Sequence, residues 1–175
     1  MVNTQIPQVI RNRRSIRAFT DETLWDETVE TLIEAAILAP NAGNMQPWAF
    51  IAIKNKETLR MLSEAAKQTW MASAPLVIVV CTEATRTQPR YGDRGTSLYM
   101  YQDTAAAIQN ILLTATHNNL GGTWMGAFDE EAVSSILAIP AGIRPIAMIP
   151  IGHPSQEPEP RPRRPISDVL HKEKW

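Results

Sequence analysis

Four arginines, Arg11, Arg13, Arg14 and Arg17, crowd around Ser15 in the stretch RNRRSIRAFT, and no acidic side chain occurs in the first twenty residues. The local field there is positive, although 17 basic and 18 acidic residues leave the whole chain at a net charge of -1. Arginine suits phosphate because its planar fork offers fixed bidentate donors and its charge is never lost. Ser15 adds a hydroxyl donor close by. A second basic group, Arg161, Arg163 and Arg164 in RPRRP, can converge with the first on one phosphate if the C-terminal tail folds back. The alternative is a solvated basic helix end set against the helix dipole.

Other chemistry finds less support. Neither a strand-bound GxGxxG nor a GxxxxGK[ST] occurs, so the Rossmann and P-loop modes of nucleotide binding are disfavoured. His117, His153 and His171 stand apart, without carboxylate or cysteine partners at ligand spacing, which argues against a metal site. The single cysteine, Cys81, lies in the apolar run APLVIVVC and reads as a buried, inert thiol. The serines lack a GxSxG elbow. A chain with no reactive group of its own points to a cofactor that carries the chemistry while the protein binds and orients it. The balanced charge excludes a broad basic face for nucleic acid and a polybasic membrane patch.

These residues need elements to position them. A length of 175 residues with 44% apolar content predicts one domain over residues 1–175. Ile6, Val9 and Ile10 have helical spacing, so a short first helix delivers the arginines at its end. DETVETLIEAAILAP reads as a helix stopped by Pro40, and the loop PNAGNMQP follows. WAFIAI is a strand, KETLRMLSEAAKQTW an amphipathic helix and PLVIVVCT a buried strand. Residues 83–97 carry Pro89, Gly92 and Gly95 and are expected to form a long loop, either a lid or a mobile excursion. LYMYQDTAAAIQNILLTATH is a helix apolar on most sides, with Asp103 as its one charge, which suggests burial all round and a face covered by another subunit. GGTWMGAF supplies a short strand, DEEAVSSILAI a helix and RPIAMIPIGHP the last strand. Residues 154–175 form a Pro-rich tail with little to pack against its own domain. No apolar run approaches the roughly 20 residues that span a bilayer, and the N-terminus lacks a signal-peptide core. A cytoplasmic protein is expected.

RRSIRAF, APNAGNMQPW, GGTWMGAF and IGHP with RPRRPISDVL, taken together and in this order, resemble the nitroreductase family of FMN-dependent oxidoreductases. The resemblance implies an α+β fold: a mostly antiparallel central sheet flanked by helices. It further implies an intertwined homodimer, with the long apolar helix at the interface and the tails of residues 154–175 exchanged between subunits. Arg13, Arg14, Ser15 and Arg17 would then take the phosphate and ribityl chain of FMN, with Arg163 and Arg164 closing on the phosphate. Pro40, Asn41, Ala42, Asn44 and Gln46 would reach the flavin from the other subunit. Asn41 stands where the family has a small residue, and Asn44 can alternatively serve as a turn residue. Thr123, Trp124, Met125 and Gly126 would lie along the flavin ring, with the backbone of Met125 and Gly126 near N5; for Trp124 and Met125 the alternative is core packing.

The implied activity is transfer of hydride from NAD(P)H, by way of FMN, to a nitroaromatic, a quinone or a similar acceptor in a ping-pong cycle that needs no catalytic side chain and no metal. A specialised member of the same fold, such as a reductive dehalogenase or a flavin-fragmenting enzyme, is one alternative. A flavin-carrying sensor is another. Arg86, Arg90, Tyr91 and Arg94 can seat an acidic substrate or the phosphate of NADPH, or they are simply solvated charge.

Overall fold

A computed structural model of the chain describes residues 5–175. Its centre is the strand β2 (Leu76–Glu83), whose continuous apolar run follows from burial on both sides of the sheet. Leu76, Ile78 and Val80 enter one core together with Ala147 and Ile149, while Val77, Val79 and Cys81 enter the other with Met148. This is the two-residue alternation of a strand with apolar material on both faces. The sheet runs in the order β1 (Trp48–Ile53), β2, β4 (Ile143–Gly152), β3 (Gly121–Gly122), and every neighbouring pair is antiparallel. Burial pushes the Cys81 thiol up to about 11, so it is not a thiolate near neutral pH.

Helices cover both faces. Leu32 and Ala36 of α2 (Asp26–Ile37) and Ala107, Ile108 and Ile111 of α5 (Met100–His117) fill the first core. Leu59 and Leu62 of α3 (Lys56–Ala65) and Val133 of α6 (Glu130–Ile136) fill the second. The expected α+β architecture with a flanked antiparallel sheet is therefore present. In the single chain α5 is not buried all round: Met100, Ala107, Ile108, Ile111, Leu112 and Ala115 are buried, but Tyr101, Ala105 and Leu113 are only half-buried and Gln102 and Gln109 are exposed.

Residues 83–97 are not the long loop that their Pro and Gly content suggests. They close β2 and then form α4 (Ala84–Arg94), followed by one wide π turn, Gly95–Tyr99, that leads into α5. Gly95 has helical angles, and an added Cβ there would lie 2.9 Å from the Thr87 carbonyl oxygen, so this glycine serves close packing and not chain reversal. Only Gly92 breaks the helix, at φ 52° and ψ -140°. Thr87 is buried, and Arg86 pairs with Glu83 at 2.8 Å across the first turn.

The first helix, α1 (Gln8–Asn12), is a little over one turn. The tail leaves β4 by pairing with residues near Phe19: Thr20 N–H donates to the His153 carbonyl at 2.9 Å and Ser155 N–H to that of Ala18 at 3.0 Å. Beyond Pro158 every tail residue is exposed, the segment forms no regular element apart from the short helical turn Ile166–Asp168, and Ile166, Val169, Leu170 and Trp175 face solvent. Among the described residues no helix is long and apolar enough to cross a membrane.

Candidate functional site

The chain leaves α1 at Arg13 with φ -57° and ψ 126°, an extended geometry that carries the arginine stretch toward the edge of the sheet. There Ser15 forms a parallel bridge with Gly122, and Ile16 N–H donates to the Gly122 carbonyl at 3.1 Å. The Thr123 hydroxyl donates to the Ile16 carbonyl at 2.5 Å. A Cβ at Gly121 would collide with the Ile16 side chain, so glycine at this position lets the two segments close up. Ile16 is buried between them, and the alternation of extended backbone sends Ser15 and Arg17 the opposite way.

On that opposite side lies a cleft of about 620 Å³, lined by Arg11, Arg13, Arg14, Ser15 and Arg17 and by Arg161 and Arg163 of the returning tail. Six arginines face one carboxylate, that of Glu159, in its lining. Arg14 donates to the carbonyls of Arg11 and Arg13 at 2.6 and 3.0 Å. Among the described residues the guanidinium groups of Arg11, Arg13 and Arg17 have no hydrogen-bond or ion-pair partner. Unpaired like charges gathered in a concave site repel one another unless an anion neutralises them. Arg164, expected in the same group, does not line the cleft; it donates to the Asp168 carbonyl at 2.7 Å. Arg163 does line it, with one guanidinium nitrogen shared between the Arg161 and Pro162 carbonyls.

The loop of residues 40–46 takes no part in that lining. It is held by two side-chain acceptors. Ala42 N–H donates to Asp103 Oδ1 at 3.1 Å, and Gln46 N–H donates to Asn41 Oδ1 at 2.9 Å. The other end of the Asn41 amide donates to the Ala39 carbonyl at 3.3 Å. Asn41 thus closes the loop across its mouth, which gives a structural reason for a longer residue at this position. Gly43, Asn44 and Gln46 all have positive φ, between 51° and 57°. That conformation costs free energy for a residue with a Cβ and persists where the surroundings impose it. Asn44 and Gln46 are exposed, and among the described residues their side-chain amides have no hydrogen-bond partner.

In the sequence Asp103 stands out only as the lone charge of its helix, and in the structure it is an anchor of this loop. It is 6% exposed, its Oδ2 has no partner among the described residues, and burial raises its carboxyl above the usual range while the Ala42 bond opposes that shift. A charged residue at a position of an otherwise apolar helix that faces the core was the available signal for a buried anchor.

Residues 123–126 divide between packing and exposure. Thr123 is buried with its hydroxyl committed to Ile16, and Met125 is buried with both backbone polar groups paired to Met148 at 3.0 and 2.9 Å. The Met125 N–H is therefore already used within the sheet. Trp124 is 43% exposed, and a Cβ added at Gly126 would meet no atom within 4 Å. The open surface that a flat ring requires lies at Trp124 and Gly126, beside the segment that pins the arginines. FMN fits what is present: free guanidinium groups and a hydroxyl for a phosphate, and open backbone for a ring.

Fold and cleft together define an α+β protein with a phosphate-compatible site at the edge of its sheet. The nitroreductase family model matches residues 10–73 and 61–153. A protein of Archaeoglobus fulgidus named as an NADH dehydrogenase/NAD(P)H nitroreductase is 35% identical over 175 residues, covering 96% of this chain and 97% of its own. A Bacillus subtilis FMN reductase (NADPH) is 29% identical, over 94% of this chain and 72% of that protein. The solved structure of the NADPH:FMN oxidoreductase from Vibrio harveyi, complexed with NAD+, superposes with a TM-score of 0.87 at 28% identity, over 96% of this chain and 76% of that one. The chain belongs to the nitroreductase family.

Proposed function

We propose that this chain works in the cytoplasm as a homodimer that carries electrons from NAD(P)H to nitroaromatic, quinone or similar acceptors by a ping-pong cycle. Its broad class is that of the relatives: an NAD(P)H-dependent flavin oxidoreductase with FMN as cofactor and NAD(P)H as reductant. The observation that carries the reading is the arginine cleft, where unpaired Arg13 and Arg17 meet Ser15 and the tail residues Arg161 and Arg163. Bound FMN supplies a ring that accepts hydride from one substrate and yields it to the next.

The remaining work falls to the chain. Arg13, Arg14, Ser15, Arg17 and Arg163 hold the phosphate, and Arg164 holds the shape of the tail from outside the cleft. Trp124 and Gly126 leave room for the ring, while the paired backbone of Met125 fixes that segment to the sheet. Asn44 and Gln46 present free amides on a loop that lines no part of the arginine cleft, which supports delivery of Pro40, Asn41, Ala42, Asn44 and Gln46 to the flavin of a second copy. Ile37 and Leu38 at the end of α2, like Ile166, Val169 and Leu170 of the tail, are exposed apolar side chains that a dimer would cover.

The test is anaerobic addition of NAD(P)H to the purified, FMN-reconstituted protein. The flavin absorbance bleaches within seconds and returns when a quinone is added. A yellow protein whose flavin stays oxidised with either nucleotide contradicts the proposal.

A further inference from the structure

The arginines of α4 differ from one another. Arg86 is neutralised by Glu83, but Arg90 and Arg94, one and two turns further on, have no carboxylate partner among the described residues, and Asp93 between them pairs with neither. Each lies against a tyrosine ring: Arg90 sits 5.4 Å from the centre of Tyr91, and Arg94 sits 5.3 Å from that of Tyr99. Arg94 Nε also donates to the Tyr99 hydroxyl at 2.9 Å, which leaves its two terminal nitrogens free. The two rings pack edge to face at 5.1 Å, so both guanidinium groups rest on one aromatic unit.

This unit adjoins the loop that carries Asn44 and Gln46. A Cβ at Gly43 would collide with the Tyr91 hydroxyl and come within 3.0 Å of the Arg90 guanidinium. The helix is broken by Gly92 between the two arginines and followed by the π turn, irregularities that are rare and recur at functional sites.

We propose that Arg90 and Arg94 bind the 2′-phosphate of NADPH and make the enzyme prefer NADPH to NADH. The inference rests on the proposed NAD(P)H oxidoreductase reading. In that reading the nicotinamide lies at the flavin and the adenosine half runs along the surface bordering residues 40–46, where α4 meets the loop at Gly43 while Asp103 of α5 holds it from the other side at Ala42. A phosphate monoester is close to a dianion at neutral pH and is met by two fixed forks. The tyrosine pair offers an aromatic edge and face to the adenine.

The experiment compares steady-state kinetics of the holoenzyme with NADPH and NADH in the wild type, Arg90→Gln, Arg94→Gln and the control Arg86→Gln. Loss of one charged contact lowers kcat/KM for NADPH about tenfold or more, mainly through KM, with NADH changed less than about twofold and Arg86→Gln like the wild type. Calorimetric titration of the holoenzyme with adenosine 2′,5′-bisphosphate and with AMP supplies an arm that needs no turnover. The bisphosphate binds the wild type more tightly than AMP does, and the difference is lost in Arg90→Gln/Arg94→Gln. Equal effects on both nucleotides, or equal binding of the two adenosine ligands, overturns the proposal. So does an effect confined to an acidic acceptor such as a nitrobenzoate, which would place the acceptor on the patch. Failure of both nucleotides to reduce the flavin sinks the activity reading alone, because the calorimetric arm still decides the patch.

Discussion

The arginine cleft and the loop of residues 40–46 are built in opposite ways. In the cleft, backbone pairing does the positioning: Ser15 and Ile16 lie against Gly122, the tail lies against Ala18 and Thr20, and among the described residues the guanidinium groups of Arg11, Arg13 and Arg17 have no partner. In the loop, side chains do the positioning: Asp103 and Asn41 hold backbone N–H groups while three residues sit at positive φ. The first region tolerates changes to its side chains without losing its shape, and its ligand affinity is the exposed quantity. The second loses shape when its anchors are changed.

The largest expected effect comes from removing residues 155–175. This deletes Arg161 and Arg163 from the cleft together with the exposed apolar residues of the tail. FMN affinity falls on the order of 100-fold or more, because two charge-assisted contacts are lost, and light scattering shows a shift from dimer toward monomer or aggregate. A truncated protein that stays dimeric and binds FMN as before would erase the tail from both roles.

Asp103→Ala tests the other region. It leaves the Ala42 N–H without its acceptor and costs about 1–3 kcal/mol of stability, measured by denaturant unfolding of the apoprotein. Asp103→Asn keeps an acceptor oxygen and restores most of it. Arg13→Ala in the same assay changes stability little, since among the described residues its guanidinium has no hydrogen-bond or ion-pair partner, yet it weakens FMN binding about tenfold or more. If Asp103→Ala and Arg13→Ala behave alike in both measurements, the contrast between the two regions fails.

A pH series sharpens the same contrast. Burial raises the Asp103 carboxyl in the folded state, so the folded chain holds that proton more tightly than the unfolded chain does. The stability this contributes is present below the unfolded value and is lost as pH rises through the raised one. Asp103→Asn therefore gains melting temperature relative to the wild type on going from acidic to neutral pH, and a constant difference would mean that Asp103 does not titrate above its unfolded value. A smaller effect belongs to Gly126→Ala. Among the described residues the added methyl meets no atom within 4 Å beyond its chain neighbours, so apoprotein stability changes by less than about 0.5 kcal/mol, and FMN titration registers any crowding of the ring.

Much of this was legible in the residues, for reasons that differ by position. β2 could be read because burial on both faces leaves Leu76 to Cys81 without a polar residue, and the cleft could be read because its arginines fall in two tight clusters, one in residues 11–17 and one in residues 161–164. Residues 83–97 suggest a loop because Pro89, Gly92 and Gly95 look alike as chain breakers. Gly95 is a packing glycine inside a helical turn, Pro89 is accommodated, and only Gly92 breaks the helix. The part played by Asn41 was hidden for another reason. Its hydrogen bonds to Gln46 and Ala39 depend on a backbone path that local sequence does not reveal. Likewise, the commitment of Met125 N–H to Met148 is a pairing across 23 residues that periodicity cannot detect.

The central claim is that the arginine cleft exists to hold a phosphate, and parallel titrations of the apoprotein with FMN and riboflavin test it most directly. These ligands share the ring and ribityl chain and differ only in the group assigned to Arg13, Arg14, Ser15, Arg17 and Arg163. FMN binds at least about 100-fold more tightly than riboflavin, as expected from two or more charge-assisted contacts, and raised salt narrows the gap. Equal affinity for the two flavins would contradict the account.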